Sequence, residues 1–380
     1  MFNFVQQKTD KNKLVILILW LLVNVFFFTK NGIITTGEAE KYIGQANIFL
    51  KTGSVSSANL WFYFLTISLI SFCLKFHIGF LFIVIIQLIL NLAATLFFYK
   101  TLLFLFHRSS VALIGTIILL FNQPYQEFNT FLQTESLFYS LTLILSCYVI
   151  CIEKISVRKT IIAFFLLAII SVTRPTGLLF IPAVFLYLFF IAFRNMGSIK
   201  KISLLGIFAL LFFFIINMAM GSGGEFDFML PFRDEDIICG LPSIVHNSAN
   251  NTAENGNSVF GLLYYISHNF GQFIRLAWFK TVAFFGLYRS YYSNWHNIFL
   301  VIYFYPLYIL SVASLTYLYK TNFYRFLYLL SLILITWLTV MLTCDDWHNR
   351  FFLSISPYII ILAMGFVEKF INRKSYPSSK

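Results

Sequence analysis

The sequence predicts an all-α, polytopic transmembrane helix bundle of about 10–11 helices. Of its 380 residues, 59% are hydrophobic and only 11% are charged, and the mean hydropathy is +0.81. Soluble domains carry about a quarter charged residues, so this chain has too few charges to cover a water-facing surface. The apolar residues fall in runs of the length that a membrane helix needs. We therefore expect a single transmembrane domain over residues 1–380.

Eleven apolar runs follow one another along the chain. The first has a charged flank and no small-residue cleavage site after it, so we interpret it as a retained first helix. The runs lie near residues 14–30, 60–76, 78–106, 110–122, 137–152, 160–172, 176–193, 202–219, 297–319, 326–343 and 352–368.

Five basic clusters set the predicted orientation, because Lys and Arg concentrate in cytoplasmic loops. They are Lys8/Lys11/Lys13, Lys154/Arg158/Lys159, Arg194/Lys200/Lys201, Lys320/Arg325 and Lys369/Arg373/Lys374. An even number of crossings must separate them, yet five runs precede Lys154. We expect the run 110–122, too short to span, to dip into the membrane and return to the same face. The prediction is ten crossings of a bacterial plasma membrane, with both termini cytoplasmic.

The net charge of +12 is explained by these clusters. We therefore expect membrane lipids as partners and no nucleic acid.

With this orientation, the unusual polar and acidic segments gather on the outer face. The basic clusters alone fixed the orientation, so the convergence is independent evidence for a functional site on that face. The segments are the first outer loop (31–59), Asn122–Glu135, Arg174, the large outer loop (220–296) and residues 345–350.

The first outer loop carries Glu38 and Glu40 directly after the first helix. If the loop is helical, Glu38, Tyr42 and Ala46 share one face at i, i+4 and i+8. A carboxylate there can accept a proton from a hydroxyl that attacks a sugar carbon. The alternative is an ordinary solvated amphipathic helix.

Two further motifs stand at helix ends. Glu135 begins an apolar helix, either with a functional role or as the acid favoured in a first turn that Thr134 caps. Arg174 precedes Pro175, which breaks the helix. A guanidinium at a break can grip a phosphate bidentately, or it can reach out to lipid headgroups.

The last outer loop reads Asp345-Asp346-Trp347-His348-Asn349-Arg350. Asp345 and Asp346 with His348 could bind a divalent cation, the one cofactor that the sequence raises. The alternative is an Asp–Arg pair that closes the loop.

The remaining signals are weaker. Cys239 and Cys344 both fall in outer loops, which leaves a disulfide between them open, whereas Cys147 and Cys151 fit helix packing. The aromatic stretch Tyr288–His296 suits an interfacial belt, which we favour, or a sugar-stacking wall. The sequence has no Walker loop and no GxGxxG, GxSxG or HExxH motif, so ATP-driven or nucleotide-cofactor chemistry is not expected.

The order of these motifs resembles the GT-C superfamily of multi-spanning glycosyltransferases, which includes relatives of the protein O-mannosyltransferases and GPI mannosyltransferases. The resemblance rests on the first helix followed by acid-x-x-x-Tyr-x-x-x-Ala, then Thr-Glu-Ser-Leu-Phe, Arg-Pro-Thr-Gly-Leu-Leu, and an Arg near Pro357 in the last outer loop. It spreads over most of the chain, although each motif is short and degenerate.

The resemblance implies a GT-C-like fold whose outer loop contains short helices after the first helix. It also implies transfer of a sugar from a polyprenyl-phosphate donor to a glycan, lipid or protein acceptor, in building cell-envelope glycans. Glu38, with Glu40 as its competitor, would be the base. Tyr42, Glu135, Arg174, His348 and Arg350 would bind substrates, with the two arginines on the donor phosphate.

The first outer loop departs from the family in one respect, because the family usually has Asp at the catalytic position and this loop contains none. Either Glu replaces it or the activity is altered. The alternatives from other classes are a lipid-linked saccharide flippase or transporter and a polysaccharide polymerase. The absence of a convincing internal repeat and the gathering of charges at one face favour an enzyme over a transporter.

Overall fold

The computed structural model describes residues 2–221, 227–241 and 256–375. Within these ranges the chain is all-α, and its only β-type pairings are two isolated bridges, Ile34 with Phe131 and Ile238 with Asp345. Residues 222–226 and 242–255 of the predicted large outer loop lie outside the described ranges. The predicted all-α, polytopic helical bundle is confirmed.

The described residues form sixteen α-helices. The first eight are α1 Phe2–Asn31, α2 Glu38–Thr52, α3 Phe64–Lys75, α4 Leu81–Phe106, α5 Ser109–Leu120, α6 Gln123–Glu127, α7 Glu135–Ile150 and α8 Val157–Ser171. The others are α9 Phe180–Ala192, α10 Ser198–Gly221, α11 Leu230–Arg233, α12 Val259–His268, α13 Phe270–Gly286, α14 Asn294–Thr321, α15 Phe323–Leu342 and α16 Arg350–Ser375. Short 3₁₀ helices cover Ala58–Tyr63, Phe128–Thr130 and Pro175–Leu179.

Eight helical segments among the described residues are long and apolar enough to cross a bilayer, as expected of a multi-pass membrane protein. They are Lys11–Asn31, Ala58–Lys75, Leu81–Phe106, Pro175–Ala192, Ser198–Met218, Asn294–Thr321, Phe323–Leu342 and Arg350–Ile371. Ser109–Leu120, Glu135–Ile150 and Val259–His268 are shorter apolar helices.

The chain divides into two compact units. Unit 1 contains Met1–Leu188, Tyr303–Leu332 and Leu353–Lys380, and unit 2 contains Phe189–Ile302 and Ile333–Phe352. The helices α14, α15 and α16 each contribute residues to both units.

In unit 1, α1 and α4 run antiparallel. Asn12 Nδ2 donates to the Tyr99 hydroxyl (3.1 Å), and Trp20 Nε1 donates to Asn91 Oδ1 (2.8 Å). Eight residues forward along α1 therefore correspond to eight residues back along α4. This register places the start of α4 level with the end of α1, which we call the Asn31 end of unit 1; the opposite end is the Asn12 end.

This register corrects the predicted threading. The chain between α1 and α4 leaves and returns at the Asn31 end, so the run 60–76 does not complete a crossing, although it is apolar enough to do so. The run 110–122 does not return to its starting face. Ser109 accepts a hydrogen bond from Asn12, and α6 ends at Glu127, which accepts one from Asn31.

Two errors in the predicted threading thus cancel. The segments that run between the two ends of unit 1 before Lys154 are α1, α4, α5 with α6, and α7, an even number, as the sequence prediction required. Hydropathy and length misjudged both runs, because α5 is continued by a short polar helix and α3 packs along α2.

In unit 2, α10, α11, α12 and α13 share one apolar cluster. The cluster consists of Met220, Met229, Phe232, Leu262, Tyr265 and Leu276. The start of α12 is fixed by Ser258, whose hydroxyl caps the helix by accepting from the Gly261 N–H (2.9 Å). Leu342 at the end of α15 packs against this cluster.

Candidate functional site

The first outer loop folds into a helical hairpin. We define the first-loop hairpin as residues 38–75, made of α2, the 3₁₀ helix Ala58–Tyr63 and α3. The buried face of α2 is Ala39, Tyr42 and Ala46, at the i, i+3, i+7 spacing of an amphipathic helix. Short helices after the first helix are thus present as predicted.

The two predicted base candidates lie on the first turn of α2. Glu38 and Glu40 are both exposed, and Gly37 directly before them has a φ of 68°, which favours glycine. Tyr42, predicted to share a face with Glu38, is buried in the hairpin core, with its ring 5.5 Å from that of Tyr63. Of the three residues on the predicted face, Tyr42 and Ala46 are buried and Glu38 is exposed.

The hairpin is fastened to two breaks in the bundle of unit 1. Ile34, just before the hairpin, donates its N–H to Thr130 O (3.0 Å) and accepts from Leu132 N (2.9 Å). Leu65 at the start of α3 donates to Val172 O (3.0 Å). These contacts reach the segments directly before Glu135 and Arg174, so three of the sequence motifs gather at the Asn31 end of unit 1.

Glu135 and Arg174 form a buried ion pair. Arg174 Nη1 lies 2.5 Å from Glu135 Oε1, and the two residues are 8% and 0% exposed. Arg174 is extended (φ −160°, ψ 144°), as the residue before a proline prefers, and this conformation interrupts the helical structure between α8 and α9. The break turns the guanidinium inward to the carboxylate.

The predicted cap at the start of α7 is wrong in its detail. Thr134 occupies the N-cap position, but its side chain makes no capping bond and donates to Glu135 Oε2 (3.5 Å). The hydroxyl thus joins the arginine in satisfying the buried carboxylate, which a burial this complete requires.

A buried amide network lies beside this pair, and the sequence interpretation missed it. Asn129 Nδ2 donates to Asn24 Oδ1 (2.9 Å) and to Gln126 Oε1 (3.2 Å), and Ser136 donates to Asn129 Oδ1 (2.7 Å). Asn129 and Gln126 belong to the polar stretch that we assigned to an outer loop. Asn24, a lone amide inside an apolar run, was the available signal, since such residues face the bundle interior.

In unit 2, a disulfide joins Cys239 to Cys344. Backbone hydrogen bonds flank it on both sides: Cys239 N donates to Asp345 O and Asp345 N donates to Ile237 O (both 2.9 Å). We define the last loop as residues 343–350. The disulfide fixes the first half of the last loop against the segment that carries Cys239. The sequence had left this pairing open.

Both acids of the last loop are paired with arginines. Arg289 Nη2 lies 2.5 Å from Asp345 Oδ2, and these residues are only 1% and 0% exposed. Arg350 Nε donates to Asp346 Oδ1 (2.7 Å). Burial raises the pKa of Asp345 to about 6, because desolvation outweighs the attraction of Arg289. Arg289 was hidden from sequence reasoning inside the aromatic stretch.

This geometry favours the loop-closing alternative over a cation site for Asp345 and Asp346. Each carboxylate has an arginine as counter-charge, and the described residues contain no group of three His, Cys, Asp or Glu that could hold a metal. His348 is exposed, and its backbone N–H donates to Asp346 Oδ1 (3.0 Å). The arginine of the loop, Arg350, thus holds Asp346.

A buried lysine completes the last-loop region. Lys280 of α13 is fully buried, donates to Thr343 O, and lies over the Phe232 ring at 4.3 Å. Burial lowers its pKa to about 7, with Asp236 acting in the opposite direction. Lys280 therefore anchors the start of the last loop through the carbonyl of Thr343.

The candidate residues thus form two groups, one in each unit. Glu38, Glu40, Glu135 and Arg174 belong to unit 1, and the last loop with Arg289 and Lys280 belongs to unit 2. Comparison with known proteins adds no assignment: no family model, no curated protein and no solved structure matches this chain.

Proposed function

We propose that the protein is a membrane glycosyltransferase of the GT-C type. It takes a sugar from a polyprenyl-phosphate donor and transfers it to a glycan, lipid or protein acceptor at the outer face of a bacterial plasma membrane. The observation that carries the proposal is the first-loop hairpin, which exposes Glu38 and Glu40 and is fastened to the segments of Glu135 and Arg174.

In this proposal Glu38 is the general base. It accepts the proton of an acceptor hydroxyl while the hydroxyl oxygen bonds to the anomeric carbon. The bond from that carbon to the carrier phosphate breaks, the phosphate leaves with the electron pair, and the anomeric configuration inverts. Exposure on the first turn of α2 suits this role, because the base must reach a substrate that arrives from outside the chain.

We propose that Arg174 binds the leaving phosphate. A guanidinium presents its N–H donors in a fixed fork that matches a phosphate, and the ion pair with Glu135 holds the Arg174 guanidinium in place. Glu135 then serves to hold the arginine rather than to contact the acceptor. The phosphate-binding roles of Arg350 and His348 stay predictions from the resemblance.

Two observations support the outer-face assignment. Disulfides persist in oxidising compartments, so the Cys239–Cys344 bond favours an extracytoplasmic last loop. Lys11 and Lys13 lie at the Asn12 end of α1, whereas Lys30 at the other end is 3.7 Å from Glu127 and so carries a counter-charge. The positive-inside rule then favours cytoplasmic termini and an outer Asn31 end.

The test is sugar release from a panel of radiolabelled polyprenyl-phosphate sugars by the purified protein. We expect turnover by the wild type, a loss of about 10²–10⁴-fold in Glu38→Gln, and retained turnover in the matched control Glu40→Gln. Loss of turnover in Glu40→Gln alone would identify Glu40, and not Glu38, as the general base.

Turnover that is unchanged in both variants would refute a first-loop base. Folded wild-type protein that turns over no carrier would refute the transferase itself and favour the flippase, transporter or polymerase. Thermal unfolding of each variant, measured in the same detergent, separates lost chemistry from lost structure.

A further inference from the structure

The last loop displays an exposed tryptophan in a rigid setting. Trp347 is 44% exposed, yet it stands three residues after the disulfide-bonded Cys344. Its backbone carbonyl accepts hydrogen bonds from the hydroxyls of Tyr291 and Tyr292. The neighbouring Asn349 has a φ of 55° and donates to Leu287 O (3.0 Å). The backbone around Trp347 is thus held by contacts on both sides of this residue in the chain.

The indole N–H of Trp347 is already used inside the protein. Nε1 donates to Cys239 O at 2.6 Å. A tryptophan in an interfacial belt has its ring in the apolar layer and its N–H toward headgroups and water. The indole N–H of Trp347 is instead directed at a carbonyl of the protein, which distinguishes this residue from a belt residue.

Two side chains with polar groups, Tyr291 and His348, neighbour Trp347 in space or in the chain. Tyr291 is 45% exposed, with its ring centroid 6.2 Å from that of Trp347. The imidazole of the exposed His348 is nearly parallel to the ring of Tyr292, with an interplanar angle of 11°. A flat apolar surface rimmed by hydrogen-bonding groups fits a pyranose ring, which has an apolar C–H face and an edge of hydroxyls.

We propose that Trp347, Tyr291 and His348 form a saccharide-binding surface, with the indole as a stacking platform and the imidazole as a hydrogen-bonding partner for hydroxyls. Binding itself does not require catalysis, but the identity of the ligand rests on the proposed function. There the saccharide is either the acceptor glycan or the sugar of the donor. For Tyr291, this interpretation replaces the interfacial belt that we favoured for Tyr288–His296, and it concerns the surface of unit 2 alone.

The test measures binding of the detergent-solubilised full chain to an array of neutral oligosaccharides, followed by titration of the best ligand. We expect Trp347→Ala to weaken binding about tenfold or more, since buried aromatic anchors carry at least that much of an interface. Trp347→Phe keeps a ring and should weaken binding less. The matched control is Trp295→Ala, because Trp295 is 82% exposed in the same unit.

Three outcomes would overturn the proposal. The first is a wild-type protein that binds no saccharide on the array. The second is equal loss in the Trp347 and Trp295 variants. The third comes from nanodiscs with brominated lipids: quenching of the fluorescence that Trp347→Phe removes would place this indole in the bilayer.

Titration with polyprenyl-phosphate sugars in parallel separates the two sources of saccharide. Trp347→Ala should weaken soluble glycans alone if the surface holds the acceptor, and both ligands if it holds the donor sugar. Because binding is measured without turnover, an inactive protein that still binds glycan would refute the proposed transferase and leave this surface supported.

Discussion

The acids that follow the first helix and the acids that precede the last one differ in their surroundings. Glu38 and Glu40 are exposed on the first turn of α2. Asp345 is fully buried against Arg289, and Asp346 is held by Arg350. Both pairs of acids are candidates on sequence grounds, since each stands in a loop between apolar helices. Burial separates the two pairs: the acids of α2 are exposed, whereas the acids of the last loop are buried against arginines and shape that loop.

The difference teaches that charge density in a loop does not by itself mark a catalytic site. A buried carboxylate must be satisfied by hydrogen bonds or a cation, and once satisfied it is a structural element. Lys280 and Arg289, which both contact the last loop, are fully buried. The last loop is thus built on a buried set of charges, whereas the acids of α2 face outward.

The largest expected effect is on the buried pair of the last loop. At pH 7.5, Asp345→Asn leaves the Arg289 guanidinium buried without its counter-charge and should cost about 3–5 kcal/mol of stability. The double variant Asp345→Leu with Arg289→Met should recover part of this loss, because it removes both charges. Thermal unfolding in detergent measures both variants.

The weaker pair supplies the control. Asp346→Asn should destabilise less than Asp345→Asn, because the Asp346 and Arg350 side chains are 11% and 9% exposed and retain contact with water. Equal losses in the two single variants would mean that burial is not what distinguishes the pairs.

An intermediate effect is expected from Lys280, and it depends on pH. Its folded-state pKa is lowered to about 7, below the ordinary 10.5 of an unfolded chain. Between these values the unfolded state binds the extra proton, so stability rises with pH by at most about 1.4 kcal/mol per unit. Lys280→Met removes this dependence and should raise the Tm more at pH 6.5 than at pH 9.5.

A lysine in solvent provides the comparison for this experiment. Lys200→Met changes an exposed residue of unit 2 and should shift the Tm little at either pH. A gain in Lys280→Met that is the same at both pH values would contradict the linkage and point to packing alone.

The smallest effect on stability is expected at the first loop. Glu38→Gln and Glu40→Gln should each change the free energy of unfolding by no more than about 1 kcal/mol, the range of an exposed acid at a helix N-terminus. The same thermal assay measures this. A loss as large as that of Asp345→Asn would show that the α2 acids are structural too, and the comparison would fail.

Much of the fold was predictable because hydropathy acts locally. The apolar runs predicted the membrane helices, and the family resemblance implied short helices after the first run, of which α2 is one. Crossing could not be assigned run by run. The α3 run has the apolarity of a span but packs on α2, and α5 reaches the Asn31 end of unit 1 only because α6 continues it. Length and composition carry no information about the partner of a helix.

The candidate site was predictable in its residue types and less so in its pairings. Glu135 and Arg174 were each singled out, but not as partners, since 39 residues separate them in the chain. Arg289 escaped notice because an arginine among tyrosines suggests an interface. Its partner Asp345 is 56 residues away.

The sequence by itself determined that this chain is an all-α membrane protein with its unusual acids and arginines concentrated in a few segments. The tertiary structure alone decided which runs pack against one another, which arginine holds which acid, and that Cys239 bonds Cys344. The physical reason is range. Hydrophobic burial in a bilayer is a property of about 20 consecutive residues, whereas an ion pair or a disulfide requires two distant segments to meet within a few ångströms.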